Sequence, residues 1–148
     1  MKLTIKRIDK SLPLPAYDKG ASCFDFVCRE SIKIKPHEIK LVPSNAIIKV
    51  PQGYTLLVFP RSSTALRKGL MLANSVGILD SFFCGDKDEI MLMFVNITDK
   101  LVEINRGEHL AQGMLIKHEE VVWNEVEHMH EKGRGGYKTD LNRKNKKK

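Results

Sequence analysis

The chain has 148 residues, 42% of them hydrophobic and 29% charged, with a formal net charge of +7, a composition that suits one folded domain rather than a disordered chain. No apolar run reaches the ~20 residues that a bilayer requires, and MKLTIKRIDK at the amino terminus lacks the apolar stretch of a secretory signal, so a cytoplasmic protein without a membrane partner is expected. Residues 131–148 hold eight basic and two acidic side chains, which leaves about +1 on residues 1–130; a near-neutral body with a basic tail is not the broad basic face of a duplex binder, and no nucleic-acid partner is expected.

In chain order, the predicted elements are short and apolar, with Pro, Gly and Asn between them. Segments 31–35 (SIKIK), 38–42, 46–50 (AIIKV) and 54–59 (YTLLVF) each stop at a proline, or just before a Pro-Gln-Gly turn. Segments 90–97 (IMLMFVNI), 101–104 and 114–117 complete the strand set. Such a pattern predicts an all-β fold, a sandwich or jelly roll, with at most one short helix. That helix is expected over 62–68, capped by Ser62 or Ser63 and ended by Gly69. The methionines of IMLMF read as core residues, and Trp123 as a packing residue at an edge or a subunit interface. Residues 118–131 read as extended or irregular. The domain is expected to occupy 1–131, followed by an arm over 132–148 that the glycines and lysines should leave mobile.

Cysteines 23, 28 and 84 form neither an even disulfide set nor tight CxxC pairs, so free thiols are expected. His128 and His130 stand in a polar segment and read as solvated rather than as metal ligands.

Three stretches could carry chemistry. PRSSTALRKG, residues 60–69, places a guanidinium (Arg61) and two hydroxyls (Ser62, Ser63) at a strand end where a helical turn opens, which suits phosphate oxygens; taken alone, the decapeptide more often marks a helix cap beside a solvated arginine. In NSVGILDSFF, residues 74–83, Gly77 permits a tight turn, so a hairpin could present main-chain groups to the edge of a base and hold Asp80 where a carboxylate can orient and deprotonate a water. A turn aspartate is more often a local backbone acceptor. RGGYKTD, residues 134–140, offers Arg134 and Tyr137 on a flexible backbone, although such tails are commonly unstructured.

Taken together and in this order, the stretches resemble the homotrimeric dUTPases, which hydrolyse dUTP to dUMP and pyrophosphate; the resemblance runs from Pro15 to about Thr139. It implies a distorted jelly-roll barrel and five short motifs. The first matches 20–26 (GASCFDF), where Asp25 would support the metal and phosphate region through water, and Cys23 stands where glycine is common. The second is 60–63, with Arg61, Ser62 and Ser63 at the phosphates. The third is 74–83: Asn74 and Gly77 line the uracil pocket, Asp80 is the general base, and Phe83 stands where a tyrosine usually lies against the deoxyribose. Phenylalanine keeps the ring, so exclusion of a 2′-hydroxyl is expected to survive. The fourth, 106–112 (RGEHLAQ), places Gln112 near the phosphates. The fifth is 134–140, shortened and without its later glycines, with Arg134 for the γ-phosphate and Tyr137 for stacking on uracil.

A triphosphate so held calls for a divalent cation, and Mg²⁺ is the expected cofactor. The resemblance also implies a homotrimer whose neighbouring subunits complete each site. Two alternatives share the scaffold. One is a dCTP deaminase, against which stands Met93, at the position of that family's proton-transferring glutamate when the chains are aligned on Asn96. The other is a non-catalytic regulatory trimer, against which stand Asp25, Arg61, Asp80 and Gln112 together.

Overall fold

Alternation of side chains along the strands decides which face of each goes inward. In β10, Met91–Asn96, the residues Leu92, Phe94 and Asn96 are buried while Met91, Met93 and Val95 turn outward. In β7, Tyr54–Pro60, Leu56 and Val58 are the inward pair. The computed structural model describes residues 1–133, and among them are twelve strands and one helix. The remaining elements are β1 (Thr4–Arg7), β2 (Ala16–Tyr17), β3 (Phe24–Phe26), β4 (Ile32–Ile34), β5 (Ile39–Pro43), β6 (Ala46–Lys49), α1 (Thr64–Lys68), β8 (Leu70–Leu72), β9 (Gly77–Leu79), β11 (Val102–Ile104) and β12 (Ala111–Lys117). The expected all-β jelly roll with one short helix is what the chain adopts.

Hydrogen-bonded strands form a five-stranded sheet, β2-β3-β12-β7-β9, a three-stranded sheet, β5-β10-β8, and two pairs, β1-β6 and β11-β4. All four contribute to one core: Phe26 and Leu56 from the largest sheet, Leu70 and Phe94 from the second, Ile48 and Ile34 from the pairs. Asn96 points into this core, and its buried amide is fully used. Its Nδ2 donates to the carbonyls of Ile34, Lys35 and Lys100, and its Oδ1 accepts from the Thr98 N–H. A buried polar group satisfied in this way fixes two loops without a desolvation penalty.

The helix begins at Thr64, with Ser63 at its N-cap making no side-chain cap bond, and ends at Gly69, whose φ is +63°. A side chain on Gly69 would strain that left-handed backbone and run into Thr98 Cγ2. Two expectations need correction. Met91 and Met93 are not core: they face outward, Met91 being 40% exposed. Gly77 is not at a turn; it lies within β9, and the chain reverses at Asn74-Ser75, where Ser75 has φ +61°. Residues 118–133 form no helix or strand, and Trp123 is 87% exposed, unpacked within its own chain. No helix among the described residues is long and apolar enough to cross a membrane.

Candidate active site

At one end of the large sheet, strand register brings several polar residues together. Gln112 on β12 pairs with Asp25 on β3 on one side and with Phe59 on β7 on the other. Arg61 follows directly after β7, and its main-chain N–H donates to the Leu110 carbonyl at 3.0 Å. The buried Thr64 hydroxyl donates to the same carbonyl at 2.8 Å, while Gln112 Nε2 donates to Pro60 O at 3.1 Å. These bonds sew the start of α1 to the start of β12. Arg61 Nη2 consequently stands 3.2 Å from Asp25 Oδ2, with the carboxylate side chain 18% exposed and the arginine 38%. His109 Nδ1 lies 3.6 Å from the same oxygen. Ser62 is exposed and Ser63 half-buried at the mouth of this cluster.

The other grouping lies around β8 and β9, the two arms of one hairpin. They do not pair with each other: β8 is the edge of the three-stranded sheet and β9 the edge of the five-stranded one. An edge strand leaves a row of N–H and C=O groups without strand partners. Between the splayed arms lies a cavity of about 390 Å³, lined by Asn74, Gly77, Asp80 and Phe83 together with Leu41 and Met93. Gly77 matters here for closeness rather than for turning, since a Cβ at that position would lie 3.1 Å from Val58 Cβ. Asp80 is exposed at the end of β9 and accepts the Phe82 N–H on Oδ1 at 2.8 Å. It is therefore a turn acceptor, and its second oxygen has no protein donor among the described residues. Phe83 is 41% exposed beside it.

The structure thus brings Asp25, Arg61, Gln112 and the two serines to one place, and Asn74, Gly77, Asp80 and Phe83 to another. The two places are apart. Leu79 pairs with Leu56 on β7, so Asp80 lies level with the start of that strand while Arg61 lies beyond its end. Arg61 is five positions beyond Leu56, about 16 Å of extended chain at ~3.3 Å per residue. Arg134 and Tyr137 lie outside the described residues.

Sequence reasoning missed four participants. His109 stood inside a quoted motif, but only the β3-β12 register reveals that it approaches Asp25. Met93 joins the cavity wall because β10 turns its odd-numbered residues outward, a phase that the continuous run IMLMFV conceals, and Leu41 joins it as the β5 residue paired with Met93. Glu89 also lines the cavity.

The dUTPase family model matches residues 9–139. A deoxyuridine 5′-triphosphate nucleotidohydrolase of Dictyoglomus turgidum is 35% identical over 143 residues, which covers 92% of this chain and 95% of that protein. The crystal structure of dUTPase from Streptococcus mutans superposes with a TM-score of 0.73 at 28% identity, over 80% of this chain and 98% of that one. A mutant dUTPase from phage phi11 of S. aureus, described for its coordination of a structural Mg(II) ion, has a TM-score of 0.76 at 17% identity over 87% of this chain and 99% of that one; at that identity the likeness concerns the fold alone.

Proposed function

The chain belongs to the dUTPase family and hydrolyses dUTP to dUMP and pyrophosphate; we propose that it does so with Asp80 as the base, in sites shared between subunits of a homotrimer. The splayed hairpin is the observation that carries this reading. Uracil has a donor and two acceptors along one edge, and the unpaired main-chain groups of β8 and β9 present matching partners in a slot of fixed width. Asn74 and Gly77 line that slot; Phe83 forms the wall against the deoxyribose, where a 2′-hydroxyl would collide with its ring.

Asp80 stands beside Phe83, next to where the phosphate chain leaves the sugar. With Oδ1 held by the Phe82 N–H, Oδ2 is left to take a proton from a water attacking the α-phosphorus. The water oxygen forms the new P–O bond, the bond to the bridging oxygen breaks, and pyrophosphate leaves on the opposite side. Arg61, Ser62, Ser63 and Gln112 grip the phosphate oxygens; the roles given to Arg134, toward the γ-phosphate, and Tyr137, toward uracil, rest on the family motif alone. Most of the work is positioning and charge stabilisation.

Magnesium suits the donor set if it arrives on the triphosphate. Among the described residues no group of three His, Cys, Asp or Glu side chains could cage a metal; Asp25 offers a single hard oxygen donor at the phosphate cluster, fit to hold an ion's waters rather than the ion itself. The cation would neutralise phosphate charge and lessen the charge that builds on the leaving pyrophosphate.

Distance supports sites shared between subunits, and the family supports a trimer. Groups acting on neighbouring phosphates must stand within a few ångström of one another, yet Asp80 and Arg61 of one chain lie at opposite ends of β7. A head-to-tail ring brings the hairpin of one subunit to the phosphate cluster of the next. The outward side of the same sheet is apolar between those ends: Ile78, 73% exposed, pairs with Leu57, and Leu57 with Met114. Such a patch suits a subunit contact. The reaction is expected to take place in the cytoplasm.

Pyrophosphate release with Mg²⁺ from dUTP, and next to none from dCTP, dTTP or UTP, is the expected result. Ammonia released from dCTP, or equal turnover of UTP, would overturn the assignment of the slot and its wall.

A further inference from the structure

The loop from Asp80 to Glu89 carries both Asp80 and Phe83, and most of its hydrogen bonds close on itself. Cys84 N–H donates to Phe82 O at 3.0 Å, Cys84 Sγ to Ser81 O at 3.4 Å, Gly85 N–H to Asp88 Oδ2 at 2.7 Å and Asp88 N–H to Gly85 O at 3.0 Å. Internal bonds of this kind fix the loop's shape, not where it stands over the cavity. Among the described residues, two side-chain tethers tie it to the rest of the fold. One is Lys6 to Asp86 at 2.8 Å, with the two side chains 51% and 92% exposed, a pair that water and salt screen. The other is Glu89, whose side chain is 12% exposed.

Glu89 accepts from Arg29 Nε and Nη2 at 2.9 Å each and from the Asn45 main-chain N–H at 2.8 Å. Both partners are fixed in turn. Arg29 N–H donates to Pro43 O at 2.8 Å. Asn45 is buried with φ +65°, and its side chain both donates to and accepts from the Asp9 backbone. A two-pronged arginine fork on a half-buried carboxylate defines position as well as attraction.

We propose that Glu89 is a positioning residue for the reaction: held by Arg29 and Asn45, it sets the height of Asp80 and the standoff of the Phe83 ring from the sugar. The proposal rests on the roles given to Asp80 and Phe83 above.

The test measures kcat and KM for dUTP and UTP, together with deuterium exchange of amides 80–88, in the full chain with Glu89→Ala, Glu89→Gln, Arg29→Met and Asp86→Ala. Glu89→Ala and Arg29→Met should each speed exchange in 80–88 several-fold, lower kcat for dUTP about 10- to 100-fold with a smaller change in KM, and narrow the dUTP-to-UTP ratio, because small misplacement near reacting atoms is costly. A chain carrying Glu89→Ala and Arg29→Met together should be no worse than either single variant. Glu89→Gln, which keeps the Asn45 bond and one prong of the fork, should recover most of the protection and of the sugar ratio; Asp86→Ala should move neither. Should Glu89→Ala not fold, Arg29→Lys takes its place, with reduced protection of 80–88 expected. A lowered Tm with unchanged kcat, KM, sugar ratio and exchange overturns the proposal, and so does an equal loss in Asp86→Ala. A parent chain inactive on dUTP would instead sink the functional reading, and the exchange data alone would then decide the place of Glu89.

Discussion

The cluster proposed for the phosphates and the slot proposed for the base are built by opposite means. At the cluster, charged and polar side chains stand on paired strands and hold one another: Asp25 neutralises Arg61, and Gln112 and Thr64 bind the main chain around them. At the slot the lining carries no cation, its charges being the carboxylates of Asp80 and Glu89; the hairpin arms part into different sheets, leaving main-chain groups and apolar walls. A ligand bearing several negative charges needs cations whose places are fixed beforehand, because reorganising them would absorb the electrostatic gain. A neutral base needs only matched hydrogen-bond groups that water cannot satisfy as well.

Substitutions can break this contrast at either end. The largest effect is expected for Asp80→Asn, which keeps a turn acceptor for the Phe82 N–H but loses the base; kcat should fall about 10²- to 10⁴-fold. Substrate KM and Tm should stay near the parent values, so a parent-like kcat would mean that the base lies elsewhere. Arg61→Ala should instead raise KM strongly, with His109 left as the one basic neighbour of the Asp25 carboxylate among the described residues, and Arg61→Lys should recover only part of it, since lysine lacks the planar fork. Titrating KM against salt checks this: the arginine variants should lose much of the parent's salt dependence.

A smaller, purely steric effect is expected at the slot. Gly77→Ala places a methyl 3.1 Å from Val58 Cβ, tighter than ordinary packing, and should cost about 1–3 kcal/mol in stability by analogy with overpacked cores. Its KM for dUTP should rise while binding of inorganic pyrophosphate at the cluster is unchanged; weakened pyrophosphate binding would mean the two regions are not separable.

The smallest effect concerns acid stability, away from the chemistry. Hydrogen bonds from Arg106, and then from Ser11, hold the Asp9 carboxyl well below its ordinary 3.8. A depressed folded value means that the unfolded chain binds the proton more tightly. The stabilisation is therefore complete above the unfolded value and is lost as pH falls through the depressed one. Denaturant midpoints of the parent should decline below about pH 4, the usual aspartate value, and those of Asp9→Asn should start lower and decline less. Parallel curves would show that Asp9 is not the titrating group.

Much of this was legible in the sequence, and what escaped notice did so for definable reasons. The strands of 31–35, 46–50 and 54–59 announce themselves by β-branched runs closed by prolines. β1, with sequence TIKR, and β8, with LML, are too short and too weakly patterned to stand out, and β3, FDF, reads as a motif before it reads as a strand. Gly69 marks the end of the helix because a left-handed cap is local chemistry, whereas Ser63 holds the N-cap position without a side-chain bond. Asp80 and Arg61 were named from their neighbours in sequence, but His109 was not: its approach to Asp25 depends on the β3-β12 register, which no local pattern encodes. Gly77 was assigned a turn because glycine usually supplies positive φ, whereas here Ser75 does so and the glycine makes room for Val58.

The separation of Asp80 from Arg61 along β7 carries the claim that one site needs two chains, and subunit mixing tests it most directly. Asp80→Asn and Arg61→Ala chains are unfolded together in equal amounts, refolded, and assayed at a dUTP concentration near the parent KM and far below that of Arg61→Ala, where each alone turns over little. In a head-to-tail trimer assembled at random, about a quarter of the sites join an intact Asp80 from one chain to an intact Arg61 from its neighbour, so turnover of dUTP should recover towards a quarter of the parent value. Activity no higher than the average of the two separate variants would place both residues of each site on one chain and contradict the account.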